Sequence, residues 1–271
     1  RDRKAGRSSS DGRSVGVSHL DPLNPMPQLV TSSVGLVHYL PIFTTFFAAV
    51  FFLQWLQHYL IHKSKVHVLW WTAGVFAFGL GTALESSITL FGNTVWLNKG
   101  WYIAGAILGA YPLAQGTVFL LLKRRDAIVL TLITLPLIFS PIVLVVLSPI
   151  HADALESHRP SGAILAWSWI RLMTLPVNLY AVTFLIGGAI FSAIRYSAQR
   201  ESGDGSRAVG NTLIAVGAIL PGIGGGMAKA GIVEALYVGE LIGLILIWWG
   251  YRTCVGAPKG STDSREWGSA V

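Results

Sequence analysis

The chain has 271 residues, of which 52% are hydrophobic and only 12% charged, about half the charged share of soluble domains. That balance excludes a water-soluble domain with an apolar core and a charged shell. The net charge of +7 does not point to nucleic acid either, because the basic residues sit at the ends of apolar segments, where membrane orientation places them.

Residues 1–28 carry Arg1, Arg3, Lys4, the run Ser8-Ser9-Ser10 and Pro22, Pro25 and Pro27. Without an apolar run or any periodicity, they predict a disordered basic tail over 1–34 and no signal peptide in the chain as given. Seven apolar stretches follow over 35–252, each about 20 residues long and so able to cross a hydrocarbon layer of roughly 30 Å as a helix. The predicted helices are Tyr39–His62, Val68–Phe91, Gly100–Leu122, Ala127–Leu147, Ala163–Arg195, Ala208–Gly226 and Gly231–Tyr251. The fifth is expected to begin as an interfacial or protruding helix, and 253–271 to form a short polar tail. The fold class is therefore an all-α, multi-pass seven-helix bundle whose first partner is the lipid bilayer.

Lys63, Lys65, Lys123, Arg124, Arg125, Arg195, Arg200, Arg207, Arg252, Lys259 and Arg265 fall on one side of these spans, and Lys99, Arg159 and Lys229 on the other. By the excess of loop Lys and Arg on the inner side, the C-terminus is cytoplasmic and the N-terminus outside. Small residues at helix-packing spacing, Gly105 and Gly109, Gly187 and Gly188, Gly239 and Gly243, are expected at close helix contacts. The cluster Gly222, Gly224, Gly225 and Gly226 after Pro221 lacks the ending of a phosphate loop and reads as a flexible outer turn.

Charges inside spans are costly and mark functional positions. Glu85, Arg171, Glu234 and Glu240 qualify, all in the outer half under this orientation. Trp167, Arg171, Thr174 and Asn178 recur at helical spacing on one stripe of the fifth span; Thr82, Glu85, Ser86 and Thr89 do the same on the second, and Glu234, Tyr237 and Glu240 step round the seventh. With Tyr102 and His38 at similar depth, these residues predict an outer-half polar pocket or ion-pair network centred on Arg171, with Glu85, Tyr102, Arg171, Asn178, Glu234, Tyr237 and Glu240 as its ligand-binding residues. One arginine cannot neutralise three carboxylates, so at least one is expected to be protonated or paired with a ligand, unless Lys229 supplies the charge. An Arg–Glu network that only fixes helix register is the structural alternative.

His58 and His62 lie one turn apart at the inner end of the first span, with His67 close behind. They are the weak metal or haem candidates. Their place beside Lys63 and Lys65 among Trp55, Tyr59, Trp70 and Trp71 reads better as an interfacial aromatic belt, and no cofactor or metal is expected. The last span has neither the histidines of seven-span zinc hydrolases nor the lysine of a retinal protein, and no G-x-S-x-G is present. Cys254 is the only cysteine, so no disulfide forms within the chain. None of this points to catalysis.

The stretch Phe76-Ala-Phe-Gly-Leu-Gly-Thr-Ala-Leu-Glu85-Ser86, with Lys99-Gly-Trp-Tyr102-Ile-Ala-Gly105 and Pro112, resembles the second and third spans of the seven-helix N-terminal sensor regions of bacterial histidine kinases and diguanylate cyclases. The resemblance covers roughly a quarter of the chain. It implies a receptor in a bacterial plasma membrane whose N-terminus is extracytoplasmic. Since only a short polar segment follows Tyr251, it also implies a sensor module that acts through a membrane or cytoplasmic protein partner. The rival expectations are a small cation- or proton-coupled transporter using the interior acids, and a structural or electron-transfer subunit of a membrane complex.

Overall fold

Hydrophobic segments of this length satisfy their backbone polar groups in a membrane only by forming helices. A computed structural model describes residues 36–62, 66–198 and 205–256. The expected tail 1–34 and the positions Lys63, Lys65, Arg200, Lys259 and Arg265 lie outside the described residues, as do the side chains of His62 and Lys229. Among the described residues, seven helices are long and apolar enough to cross a membrane: α1 (Leu36–Ile61), α2 (Val66–Phe91), α3 (Val95–Leu121), α4 (Arg124–Leu147), α5 (Ile170–Ala198), α6 (Gly205–Ala228) and α7 (Glu234–Val255). The chain is an all-helical, multi-pass membrane protein. Helix α7 runs past residue 252 to Val255, so the C-terminal boundary expected at 253 falls inside a helix.

Pairs of contacting residues give the order of the bundle. Thr45 meets Thr82, Phe52 meets Phe76 and Trp55 meets Trp71, so α1 and α2 run antiparallel. His38 against Tyr237 and Trp55 against Tyr251 lay α1 parallel to α7, and the packing of α3, α5 and α6 links α2 to α7 on the other side. Helix α4 lies against α3 and α5. The hydrophobic window of α3 is 61% buried and that of α4 only 22%, so α3 is the central helix and α4 a peripheral one. Two apolar cores result. One gathers Tyr102, Ile107, Tyr111, Ile138, Val145, Ile164 and Ile170 around α3, α4 and α5; the other gathers Phe51, Trp55, Val75, Leu113 and Leu244 around α1, α2 and α7.

Glycine sets the closest contacts. Along α6 and α7, Gly210 faces Gly250, Gly217 faces Gly243, Gly239 faces the carbonyl of Leu220, and Gly224 faces that of Ala235. A Cβ on Gly217 would stand 2.6 Å from the Gly243 carbonyl oxygen, far inside contact distance, so no larger residue fits without moving a backbone. Thus the glycines expected as a loop after Pro221 belong to a helix that continues to Lys229. Gly224 is needed for the contact, and a helix in hydrocarbon keeps its backbone bonds made. The turn falls later, at Gly231, whose φ of 98° only glycine adopts freely. Gly188 packs on Thr117, whereas a Cβ on Gly187 would meet only its own helix, at Val182. Gly105 approaches Gly81 of α2, but Gly109 is crowded by its own chain.

That crowding reflects a break in α3. Residues Tyr102–Ile107 widen into a π-helical turn and 108–110 leave the helix, which restarts at Tyr111 with Pro112 in its first turn. Proline is tolerated there because its missing N–H has no partner within the helix. Helix α5 has a second π-helical turn, Val182–Ile186. It begins at Ile170 and not at Ala163: the preceding residues form a short 3-10 turn, Gly162–Ile164, and an isolated bridge from Ile150 to Leu165.

Candidate functional site

At the end of the bundle where α1 begins, three helices contribute polar groups to one interior cluster. His38 stands in the 3-10 turn Leu36–Tyr39 that opens α1. Glu85 comes from α2, with only 2% of its surface exposed. Tyr237 and Glu240 lie one turn apart on α7. The His38 ring meets the Tyr237 ring edge-on at 5.8 Å, and the carboxyls of Glu85 and Glu240 act on each other electrostatically. Tyr237, 1% exposed, lies in the field of both.

Three buried polar atoms here have no hydrogen-bond partner: Glu85 Oε2, Glu240 Oε2 and His38 Nδ1. Desolvating a carboxyl oxygen without a donor is expensive, and more so beside a second carboxyl. The arrangement is a pair of buried acids from two helices, each with one carboxyl oxygen unpartnered.

Hydroxyl groups cluster nearby on α1 and α2. Thr45 bonds Thr82 at 3.0 Å and lies 3.4 Å from Ser86, while Thr89 donates back to the Glu85 carbonyl at 3.1 Å. Each hydroxyl also reaches a carbonyl of its own helix, as Ser86 does to Thr82 and Thr45 to Pro41, both at 2.7 Å. These partners satisfy the hydroxyls locally and leave Oε2 of each carboxyl without a donor. Glu234 sits exposed in the first turn of α7, where its charge suits the helix N-terminus, and it too acts on Tyr237.

The other predicted residues gather elsewhere. Tyr102 is buried in the α3–α4–α5 core, and Gly162 packs against both its ring and the Arg171 side chain. Arg171 stands on the bundle surface in the first turn of α5; its Nε reaches the Ser168 carbonyl at 3.4 Å, and it forms no ion pair with a described acid. The ion pairs expected between Arg171 and the interior acids are therefore absent among the described residues, and Arg171 acts instead on Tyr102, which bonds Thr174. Because α5 starts at Ile170, Arg171 is at the helix end, where a long side chain can reach the interface and needs no interior acid. Of the expected inward stripe, Trp167 precedes the helix, Asn178 is exposed, and Thr174 alone is buried.

Two residues outside the predicted set matter. Lys99, expected as a loop charge, is 6% exposed and donates to the carbonyls of Val146 and Ser148 at 2.9 and 2.8 Å. It caps the open carbonyl end of α4. Arg159, on the α4–α5 connection, reaches the Ala228 carbonyl at the end of α6 and lies in the field around Tyr237. It is a base on the connection whose charge reaches Tyr237 of α7, a neighbour that only the folded chain brings near.

At the opposite end of the bundle, the aromatic residues expected as an interfacial belt turn partly inward. Trp55 is 4% exposed, with Phe51, Trp71 and Tyr251 around it at ring distances of 4.8 to 5.6 Å. His58 is half-buried on α1 and His67 lies edge-on to Trp71. Among the described residues no group of three or more His, Cys, Asp or Glu side chains is placed to hold a metal ion. No family model matches the chain, and no curated protein and no solved structure matches it.

Proposed function

We propose that this chain is a receptor-like membrane protein that binds a small cationic ligand between α1, α2 and α7 and acts through a protein partner. The observation that carries the reading is the carboxyl pair: Glu85 is 2% exposed, it faces Glu240, and each has one oxygen without a donor. A guest with positive charge or several N–H donors supplies what these oxygens lack. Tyr237 and His38 line the site and give a cation aromatic faces to rest against.

The excess of basic residues at the other end of the bundle supports a cytoplasmic C-terminus and an outward-facing site. The resemblance of α2 and α3 to bacterial sensor regions supports a bacterial plasma membrane. In a background lacking Cys254, a cysteine at Glu156 should react with a membrane-impermeant maleimide in intact cells; protection until lysis would reverse the orientation.

The binding test is thermal unfolding of the full chain in lipid nanodiscs, with sodium, potassium or methylammonium chloride added at constant ionic strength. At least one cation should stabilise the protein, and Glu85→Gln and Glu240→Gln should each abolish the shift. Equal stabilisation of wild type and both variants would place the site elsewhere. The break in α3 at 108–110 favours a second reading, cation transport, since interrupted helices border the sites of many transporters. Uptake of the stabilising cation into proteoliposomes separates transport from reception.

A further inference from the structure

The first half of α5 has one face inside the bundle and one outside it. Ile170, Thr174, Val177 and Ala181 are buried where the helix packs on α3 and α4. On the far side Leu175 and Val182 are 59% and 51% exposed, and Asn178 stands between them, exposed as well. Arg171, one step earlier on this stripe, folds back onto Gly162 and the Ser168 carbonyl. Positions 175, 178 and 182 follow the alternating three- and four-residue spacing that turns one seam of a helix toward a partner helix.

Asn178 is what sets this face apart from a plain lipid-facing one. Thr183 and Thr212, exposed on α5 and α6, donate to carbonyls of their own helices at 2.8 and 2.9 Å, and Asn211 of α6 does the same to Arg207 at 2.8 Å. The Asn178 side chain has no hydrogen-bond partner among the described residues. Trp167 and Trp169 stack just before the helix, and tryptophans collect at the edge of the hydrocarbon. From Trp169 to Asn178 the helix advances about 13 Å, at 1.5 Å per residue. Neither water nor lipid headgroups reach that depth, so an amide facing lipid there keeps its donors and acceptor unmet.

We propose that this face of α5 is a self-association surface: Leu175, Asn178 and Val182 of two copies pack across a two-fold axis along the membrane normal, and the two Asn178 amides bond each other. An amide is donor and acceptor at once, so its twin is a full complement. Depth selects the second copy as the occupant. Every copy inserts the same way, so the one helix certain to carry a matching amide at the same level is α5 of another molecule, and a two-fold interface brings identical residues together. Asparagine in such a seam bonds across helices and fixes their register, while Leu175 and Val182 supply the packing on either side. Arg171, at the end of the helix, stays at the water edge in both copies.

The test counts subunits of the labelled full chain in liposomes by single-molecule photobleaching over a range of protein-to-lipid ratios, for wild type, Asn178→Leu and Asn178→Gln. Wild type should pass from monomer to dimer as the ratio rises. Asn178→Leu should weaken the dimer by about three- to thirtyfold, the scale of one polar contact between membrane helices, and Asn178→Gln, which keeps the amide, should stay closer to wild type. Geometry is read separately by oxidative crosslinking in a background lacking Cys254. Cysteines placed at Leu175 or Val182 should join two copies, and one at Ile133, on the exposed side of α4, should not. A wild type that stays monomeric at every ratio overturns the proposal, as does a dimer that Asn178→Leu leaves unchanged or that crosslinks through Ile133 and not through Leu175.

Discussion

Two polar clusters inside the same bundle differ in one respect, whether their donors and acceptors find each other. Around α3, α4 and α5, Tyr111 shares a 2.7 Å hydrogen bond with Thr134, Gln115 donates to Thr131 at 2.6 Å, Tyr180 donates to the Gln115 carbonyl oxygen, and Lys99 caps α4. Around α1, α2 and α7, the carboxyls of Glu85 and Glu240 and the Nδ1 of His38 are buried with partners missing. In a low-dielectric interior the first arrangement holds helices together, and the second gives up stability. The bundle satisfies a fully buried Gln115 but leaves one oxygen of Glu85 without a donor, and under the proposed function that oxygen is the one a ligand meets.

Breaking the satisfied cluster should have the larger effect on stability. Gln115→Leu strands the Tyr180 hydroxyl, while Thr131 keeps its bond to the Ala127 carbonyl, a loss of about 2–3 kcal/mol from the cost of one buried polar group left unpaired. Unfolding of the purified protein in mixed micelles measures it, and an unchanged midpoint would show that the cluster carries no weight. Lys99→Met should follow at about 1–3 kcal/mol, because two carbonyls at the end of α4 lose a charged donor. Its loss should also loosen the α4–α5 connection, read as faster amide exchange over residues 149–166.

The unsatisfied cluster should respond in the opposite sense. Glu85→Gln removes one of two facing acids and replaces it with an amide that can donate to Glu240, so stability without added cation should hold or rise by up to about 1 kcal/mol. The cation response should vanish in the same variant. Stability bought at the expense of binding is the mark of a site; a destabilised Glu85→Gln would instead make the carboxyl pair part of the packing.

The sequence made the spans legible because hydropathy and length report directly on the solvent each segment meets. It also put Glu85, Tyr237 and Glu240 inside the bundle, since acids and a tyrosine within such spans have few places to go but the interior. Direction was harder to read. Helical spacing put Arg171 and Asn178 on one face of α5, but a face has no sign: only the start of the helix at Ile170, set by the bridge from Ile150 to Leu165 and the turn before it, moved Arg171 to the edge. Lys99 and Arg159 escaped for a related reason. Both look like loop charges until the α4–α5 connection folds back and gives Lys99 its carbonyls and Arg159 its place near Tyr237. The glycines after Pro221 read as a turn because their partner, the backbone of α7 at Ala235, lies across a tertiary contact.

The smallest expected effect is the sharpest on this point. Had Arg171 been the counter-ion of Glu85, removing either alone would leave a buried charge unpaired, and the double variant would recover much of the loss. In the structure, Arg171 lies on the surface and contacts the Ser168 carbonyl, while Glu85 faces Glu240. They share no partner, so Arg171→Ala should shift stability by no more than about 0.5 kcal/mol, as surface changes do. Its effect should add to that of Glu85→Gln within about 0.3–0.5 kcal/mol in a double-mutant cycle. A coupling well beyond that, on the order of 2 kcal/mol, would mean that Arg171 reaches the carboxyl pair in the membrane. The acids would then have their cation from within the chain, and the difference between the two clusters would disappear.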